Sequence, residues 1–239
     1  RMKKSFLFVV ILAITSFGVV GCESEELAVS TTSYFSVSET SRVAFSTGNL
    51  QYQASTKTWR FAEHQYDQIG NGNANISDSY DGWIDLFGWA TSGYGDFSPA
   101  LTSTNPQHYP LKFEAKDIVG TNYDWGYNAI SNGGNQSGLW RVLSADEWNY
   151  LFNGRENAAN LYAQAMIDSI EGMILLPDGC NLPSDIAFTT TILGWETNKY
   201  TFEEWKKLEA LGAVFLPVAG DRSGKSVASI GFIAYYWTG

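Results

Sequence analysis

The stretch Gly138-Leu-Trp-Arg-Val-Leu-Ser-Ala-Asp-Glu-Trp-Asn-Tyr-Leu-Phe152 decides the fold, because it joins a strand end, a helix start and an aromatic anchor. Ser144 and Glu147 form the S-x-x-E pattern of a capping box, in which each side chain satisfies a backbone N–H of the first turn. Trp148 and Leu151 then recur with helical spacing. The pattern predicts a short helix with one apolar face turned toward the core.

A second capping box predicts another helix. Thr201 and Glu204 begin it, and Gly212 ends it. We expect Phe202, Trp205 and Leu208 on its buried side, and an exposed ion pair between Glu203 and Lys207. Strands are predicted at 41–46, 50–54, 58–62, 161–167, 173–177, 213–218 and 227–237, with turns at 55–57 and 168–172.

The N-terminal residues predict export and lipidation. Residues 1–21 have the basic start and the short apolar run of a signal peptide. Val19-Val-Gly-Cys22 resembles a bacterial lipobox, which implies acylation of Cys22 and a membrane anchor. The acidic cluster 23–26 resembles the surface-export signal of Bacteroidetes-type lipoproteins, and a solvated linker is the alternative. Residues 22–40 are predicted to be a flexible tether and 41–239 the folded domain.

Charge and residue counts exclude several classes of function. The net charge of −10 disfavours a basic groove for nucleic acid. Two cysteines, one of them Cys22, cannot form a disulfide framework, and Cys180 is interpreted as a small structural residue. His64 and His108 are the sequence's two histidines, so a histidine-based catalytic or zinc site has few candidates. We predict no cofactor, no metal site and no enzymatic activity.

Two loop motifs partly resemble ligand-binding sites, but we favour a different interpretation of each. Asp78, Asp81 and Asp85 lack the register of a calcium-binding loop, so Asx turns are the preferred interpretation. Residues 219–226 match a relaxed P-loop pattern, but a strand rather than a helix is predicted to follow them. A polar hairpin or long loop is the better prediction there.

The run Arg141-Val-Leu-Ser-Ala-Asp-Glu-Trp-Asn-Tyr150 resembles the signature of bacterial C-type lectin-like domains. These include the formylglycine-generating-enzyme-like group and the Fibrobacter-type major paralogous domains. The resemblance implies an α+β fold, with two short helices around small antiparallel sheets and long irregular loops. Leu143 replaces the usual proline. Members usually continue beyond the strand at 235–238, so we expect a fragment whose last strands are missing.

The same resemblance bears on activity. The formylglycine-generating enzymes use paired cysteines with copper, and Cys180 has no partner in the globular part, so that activity is not expected. Arg141, Glu147 and Trp148 are expected to be scaffold. We therefore expect a surface-displayed binding or adhesion module for a carbohydrate or a protein, lipid-anchored in the outer membrane and facing outward. The alternatives are a structural lipoprotein of the envelope or fimbriae, or an enzyme of the formylglycine-generating-like group.

The candidate ligand-binding residues lie in two long loops. The aromatic loop 94–136 contributes Asp96, Tyr123, Asp124 and Trp125, and the polar loop 219–226 contributes Asp221 and Arg222. Ordinary packed or solvated loop residues are the alternative interpretation for each. Asp168-Ser-Ile170 resembles a Bacteroidetes acceptor for O-glycosylation, which makes Ser169 a candidate glycosylation site in a turn.

Overall fold

The computed structural model describes the backbone of Val9–Ile11 and residues 33–113, 116–192 and 194–239. Most of the predicted leader and much of the predicted tether, including Cys22, lie outside the described residues. Within the described part of the chain, no helix is long and apolar enough to cross a membrane. The described elements are short strands, short helices and 3-10 turns, which is an α+β architecture.

The described strands are short and widely spaced along the chain. They are β1 Val9–Ile11, β2 Phe35–Ser36, β3 Arg42–Phe45, β4 Leu50–Gln53, β5 Thr58–Phe61, β6 Trp83–Ile84, β7 Trp140–Val142, β8 Tyr162–Ile167, β9 Ile170–Leu175, β10 Lys199–Tyr200, β11 Val214–Pro217, β12 Asp221–Ser223 and β13 Ser226–Ala228. The helices are α1 Ala145–Asn149, which continues as a π-helical turn at Tyr150–Gly154, and α2 Phe202–Ala210.

Four small sheets result from this order. Their strand orders are β2-β3-β1-β7, β10-β8-β9-β11, β5-β4-β6 and β12-β13. The pairs of described strands are antiparallel except for β8 with β10, which run parallel. In the first sheet β1, from the predicted leader, lies between β3 and β7 and pairs with both.

Both predicted capping boxes are present. At α1 the Glu147 N–H donates to the Ser144 hydroxyl at 3.2 Å, and the Ser144 N–H donates to the Glu147 carboxylate at 2.9 Å. At α2 Thr201 and Glu204 make the same reciprocal pair. Gly212, with φ of 86°, follows the last turn in the left-handed conformation that glycine adopts without strain.

Three clusters of buried side chains form the core. The first joins β4, β5 and β7 to the loops between them and contains Leu50, Trp59, Ile84, Phe87, Trp125 and Trp140. The second packs α1 between two sheets and contains Phe35, Val43, Leu143, Trp148 and Leu216. The third lies between α2 and the β8–β9–β11 sheet and contains Ile167, Ile174, Trp205, Leu208 and Phe215.

The folded domain begins earlier than the predicted boundary at residue 41. Phe35 and Val37 are each 1% exposed, and β2 pairs with β3. Apolar residues alternate with serines in 35–38, which is a strand pattern that the serine-rich composition obscures. The prediction of a flexible tether is therefore wrong for residues 33–40.

Two other strand predictions need correction. The turn after β8 consists of Asp168 and Ser169, so β9 begins at Ile170 instead of Met173. The predicted strand over 227–237 ends at Ala228, because Ser229 has a positive φ of 60° and the chain turns there.

The surface of α2 also differs from the prediction. Glu203 pairs with Lys206 at 2.6 Å, while Lys207 pairs with Asp185. The predicted pair of Glu203 with Lys207 is therefore wrong, because a carboxylate from another segment lies within reach of Lys207. Phe202 remains 38% exposed, although its ring contacts that of a neighbouring tyrosine.

Candidate functional site

The carboxylate of Asp124 organises the long aromatic loop from beneath. The side chain is fully buried and accepts hydrogen bonds from the N–H groups of Gly120 and Gly126, both at 2.9 Å, and of Val142 at 3.1 Å. Burial raises the pKa of Asp124, and these donors and the nearby Arg141 oppose that shift. Asp124 ties the loop to β7 and has no surface open to a ligand.

Trp125 is buried beside it. The indole is 0% exposed, and its N–H donates to the Thr91 carbonyl at 3.1 Å. Its ring is part of the first core cluster. Trp125 therefore fixes the floor of the loop and presents no face at the outer surface of the loop.

Three tyrosines lie on the outer side of this loop. Tyr94 is 43% exposed, Tyr127 is 45% exposed and Tyr123 is half-buried. The ring centroids of Tyr94 and Tyr123 are 5.5 Å apart, and those of Tyr94 and Tyr127 are 6.2 Å apart, both in edge-to-face geometry. We call Tyr94, Tyr123 and Tyr127 the tyrosine platform. It is an exposed aromatic surface whose rings support each other.

Polar side chains hold the two segments that carry the platform. The Ser92 hydroxyl donates to the Asn122 carbonyl at 2.6 Å, and the Asn128 amide donates to the Ser92 carbonyl at 2.9 Å. These bonds cross between the segment of Tyr94 and the segment of the other two tyrosines. The platform is thereby held in place before any ligand arrives.

Asp96 lies in the same short turn as Tyr94. The turn is the 3-10 segment Tyr94–Asp96, and Asp96 is exposed with a positive φ of 67°, a conformation that Asp tolerates better than most residues. The structure thus places the predicted residues Asp96 and Tyr123 at the surface of one loop region. It places Asp124 and Trp125 directly below that surface.

Arg222 links the polar loop 219–226 to the aromatic loop 94–136 by hydrogen bonds. Its guanidinium donates to the carbonyls of Leu86 at 2.8 Å, Leu101 at 3.0 Å, Pro99 at 3.2 Å and Gly224 at 2.7 Å. Burial lowers the pKa of Arg222. The side chain is therefore engaged by backbone oxygens that flank the segment bearing the tyrosine platform, and it supports that segment from the side.

Asp221 is half-buried on β12 and pairs with Ala228 across the hairpin. The predicted hairpin at 219–226 is confirmed, since β12 and β13 are joined by a tight turn. A strand and not a helix follows the P-loop-like residues, so no helix N-terminus is available there to a phosphate.

Ser169 is exposed in the two-residue turn between β8 and β9. Its hydroxyl lies where a bulky modification would meet little of the fold. Glycosylation at this residue stays a prediction.

The residues with catalytic potential are dispersed. His64 stacks on Tyr66 with centroids 4.9 Å apart, and His108 Nδ1 lies 2.7 Å from the Ser103 hydroxyl. Burial raises the pKa of the Cys180 thiol. Across residues 33–239, as far as they are described, no group of three His, Cys, Asp or Glu side chains is placed to hold a metal.

Arg141 and Glu147 form a two-pronged ion pair at the base of the loop, with distances of 2.7 Å and 2.6 Å. Burial opposes ionisation of Glu147, but the Arg141 guanidinium and the Ser144 N–H outweigh it and lower the pKa of Glu147. Arg141 and Glu147 therefore pair with each other and stabilise the scaffold.

Sequence reasoning missed Tyr94 and Tyr127, which are the most exposed members of the platform. Each stands next to a glycine within a polar loop, in Tyr94-Gly-Asp96 and Trp125-Gly-Tyr127. The same Gly126 adjoins the buried Trp125, so a neighbouring glycine does not distinguish exposed from buried aromatic residues, and this local pattern could not have identified the platform.

Comparison with protein-family models, with curated proteins and with solved structures finds no match.

Proposed function

We propose that this chain is a non-catalytic binding or adhesion module for a carbohydrate or protein ligand. Its domain has a C-type lectin-like fold, and lipid on Cys22 anchors it in the outer membrane with the domain facing outward. The lipobox, the acidic cluster 23–26 and the Arg141–Tyr150 signature support this proposal.

The tyrosine platform is the observation that carries the binding function. Exposed rings gathered in one place are uncommon on a soluble surface and are typical of interaction sites. A tyrosine ring offers an apolar face to the C–H groups of a sugar or to an apolar side chain, and its hydroxyl adds a hydrogen bond. Because the platform is already ordered, binding costs little conformational entropy.

The polar surroundings of the platform suit a neutral or cationic ligand. The chain carries a net charge of −10, and the exposed carboxylate of Asp96 lies in the turn of Tyr94. A strongly anionic polymer would be repelled at such a surface.

The binding proposal is tested with the double variant Tyr94→Ala/Tyr127→Ala on a glycan array and in pull-downs from extracellular protein. We expect a ligand of the wild-type protein to be bound at least about tenfold more weakly by the variant, since stacked rings contribute strongly to such interfaces. Tyr34→Ala is the matched control, because Tyr34 is 40% exposed and lies next to β2. Equal binding by the wild type and the double variant would sink the proposal.

The anchoring proposal has its own test. Cys22→Ser removes the acylated thiol, so we expect the protein to leave the membrane fraction and to lose its accessibility to protease added outside intact cells. Ser24→Ala, in the same segment, is the control and should remain anchored. A Cys22→Ser protein that stays on the cell surface would overturn lipid anchoring without affecting the binding proposal.

A further inference from the structure

A cavity of about 80 Å³ lies where the three core clusters meet, and the described residues that line it include none of the three platform tyrosines. Leu50, Phe45 and Phe215 line it, and they belong to or pack against the first, second and third cluster respectively. Tyr235, which is 46% exposed, and the partly exposed Asn49 stand at its edge. The cavity is therefore an internal space that solvent can reach from one side.

Aromatic side chains make up much of the wall. Phe87, Trp125, Tyr236 and Trp237 line the cavity together with the residues named above. Aromatic faces carry partial negative charge and attract cations, most strongly where water is excluded. This wall therefore favours an occupant that is apolar on its surface and positively charged.

One carboxylate, that of Asp85, lies in this wall. Its two oxygens accept hydrogen bonds from the Ile69 N–H at 2.8 Å and from the Asn73 amide at 2.7 Å. Both donors are neutral, and the described residues that line the cavity include no Lys, Arg or His. The negative charge of Asp85 is therefore solvated by dipoles but is not balanced by a positive side chain of the wall.

The pKa values of Asp85 and Tyr236 are shifted in the directions expected for a buried and unbalanced negative charge. Burial raises the pKa of Asp85, and the hydrogen bonds from Ile69 and Asn73 only partly oppose the shift. Burial and the charge of Asp85 raise the pKa of Tyr236 as well. A positive charge placed in the cavity would relieve the cost of ionising Asp85.

We propose that this cavity binds a small organic ammonium cation, held by the Asp85 carboxylate and enclosed by the aromatic wall. The volume admits an occupant of only a few heavy atoms. A bare metal ion fits poorly, because calcium takes six to eight oxygen ligands and Asp85 is the single carboxylate among the described lining residues, beside neutral polar side chains such as Asn49 and Gln65. This site is independent of the proposed function of the tyrosine platform.

The test is titration calorimetry of the full chain with ethylammonium chloride, compared with ethanol at the same ionic strength. Ethanol has nearly the size of ethylammonium but no charge. We expect saturable binding of ethylammonium, none of ethanol, and at least about tenfold weaker binding of ethylammonium by Asp85→Asn. Asp81→Asn is the matched control, since Asp81 is an exposed carboxylate four residues away, and it should bind as the wild type does.

A second variant keeps the test decisive if Asp85→Asn fails to fold. Ala234→Met fills the cavity from its half-buried edge and leaves the Asp85 charge in place, so it should abolish ethylammonium binding. Equal binding of ethanol and ethylammonium, or unchanged affinity in Ala234→Met, would show that the cavity holds water and no specific cation. Absence of any saturable binding to the wild type would overturn the proposal outright.

Discussion

The core is reached by different means in the irregular stretch 69–136 and in the regular stretch formed by α1, α2 and the β8–β9–β11 sheet. In the regular stretch, backbone ladders and helix caps satisfy the polar groups of the backbone. In the first, as far as it is described, the chain forms short 3-10 turns and a two-residue strand, and side chains take over that task. Both stretches bury large aromatic residues. They differ in whether the backbone N–H and C=O groups bond to other backbone groups or to side chains.

The second stretch is regular. β8, β9 and β11 pair continuously, with β8 meeting β9 from Tyr162 to Ile167. α2 lies against this sheet through Trp205 and Leu208, which are both fully buried. A ladder distributes its stabilisation over many residues, so no single polar side chain decides its shape.

The first stretch depends on a few polar side chains. The side-chain amide oxygen of Asn73 accepts hydrogen bonds from the N–H groups of Asp85 at 2.9 Å and of Leu86 at 3.1 Å, and the Asp124 carboxylate accepts from three N–H groups in the same manner. Each such side chain replaces a missing strand partner. The stretch can therefore present an irregular surface such as the tyrosine platform, but it is vulnerable at a small number of positions.

The largest effect is expected from Trp205→Ala in the regular stretch. The indole is completely buried between α2 and the sheet, so its removal leaves a cavity and should lower the free energy of unfolding by about 3–5 kcal/mol. Urea denaturation followed by circular dichroism measures the loss. A change below about 1 kcal/mol would mean that the third cluster does not pack as described.

Asp124→Ala should have the next largest effect, in the irregular stretch. It leaves three buried N–H groups without their acceptor, and each unsatisfied donor costs about 1–3 kcal/mol before relaxation, so we expect a net loss of about 2–4 kcal/mol. Urea denaturation gives the value, with the exposed Asp96→Ala as the control. A near-neutral Asp124→Ala would contradict the role of side chains in replacing ladder partners.

A smaller effect is expected at the helix caps. Ser144→Ala removes the acceptor for the Glu147 N–H, which should cost about 1 kcal/mol, and Thr201→Ala should act similarly at α2. Thermal unfolding of both variants checks this. If either one loses as much as Asp124→Ala, the contrast between the two stretches would fail.

The stability contributions of Glu147, in the regular stretch, and of Asp124, in the irregular stretch, should depend on pH in opposite directions. The folded pKa of Glu147 is lowered from 4.5, so its contribution is present above that value and is lost as the pH falls through the folded pKa. The folded pKa of Asp124 is raised from 3.8, so its contribution is present below that value and is lost as the pH rises through the folded pKa.

Unfolding free energies of Glu147→Gln and Asp124→Asn, measured between about pH 3 and pH 7, test these signs. Relative to the wild type, Glu147→Gln should be least stable at neutral pH. The free energy of unfolding of Asp124→Asn should fall furthest below that of the wild type at acid pH, and this difference should shrink as the pH rises. Identical pH profiles for the two variants would contradict the opposite environments of these carboxylates.

The sequence predicts the regular stretch better than the irregular one. The two capping boxes and the buried run of β11 are local patterns, and the structure contains each of them. The burial of Asp124 depends on N–H groups from Gly120 and Val142, and no local pattern reveals such a partnership. For the same reason the sequence suggested Trp125 as a candidate ligand-binding residue and not Tyr127 two positions later.

Errors in strand prediction have related causes. Apolar residues alternate with serines in 35–38, but the serines resemble a linker. The burial of Phe35 and Val37 and the pairing of β2 with β3 show that these residues belong to the domain. Residues 227–237 look like a strand by composition, yet Ser229 turns the chain away after Ala228. In both cases the contacts with distant residues decide the outcome.

Hydrogen–deuterium exchange with and without a ligand found on the glycan array or in the pull-downs locates the binding surface. We predict that the bound ligand slows exchange in segments 92–97 and 121–128, which carry the tyrosine platform, and leaves exchange in the β8–β9 ladder unchanged. Protection confined to other segments, such as the β12–β13 hairpin, would contradict the assignment of the binding surface to the tyrosine platform.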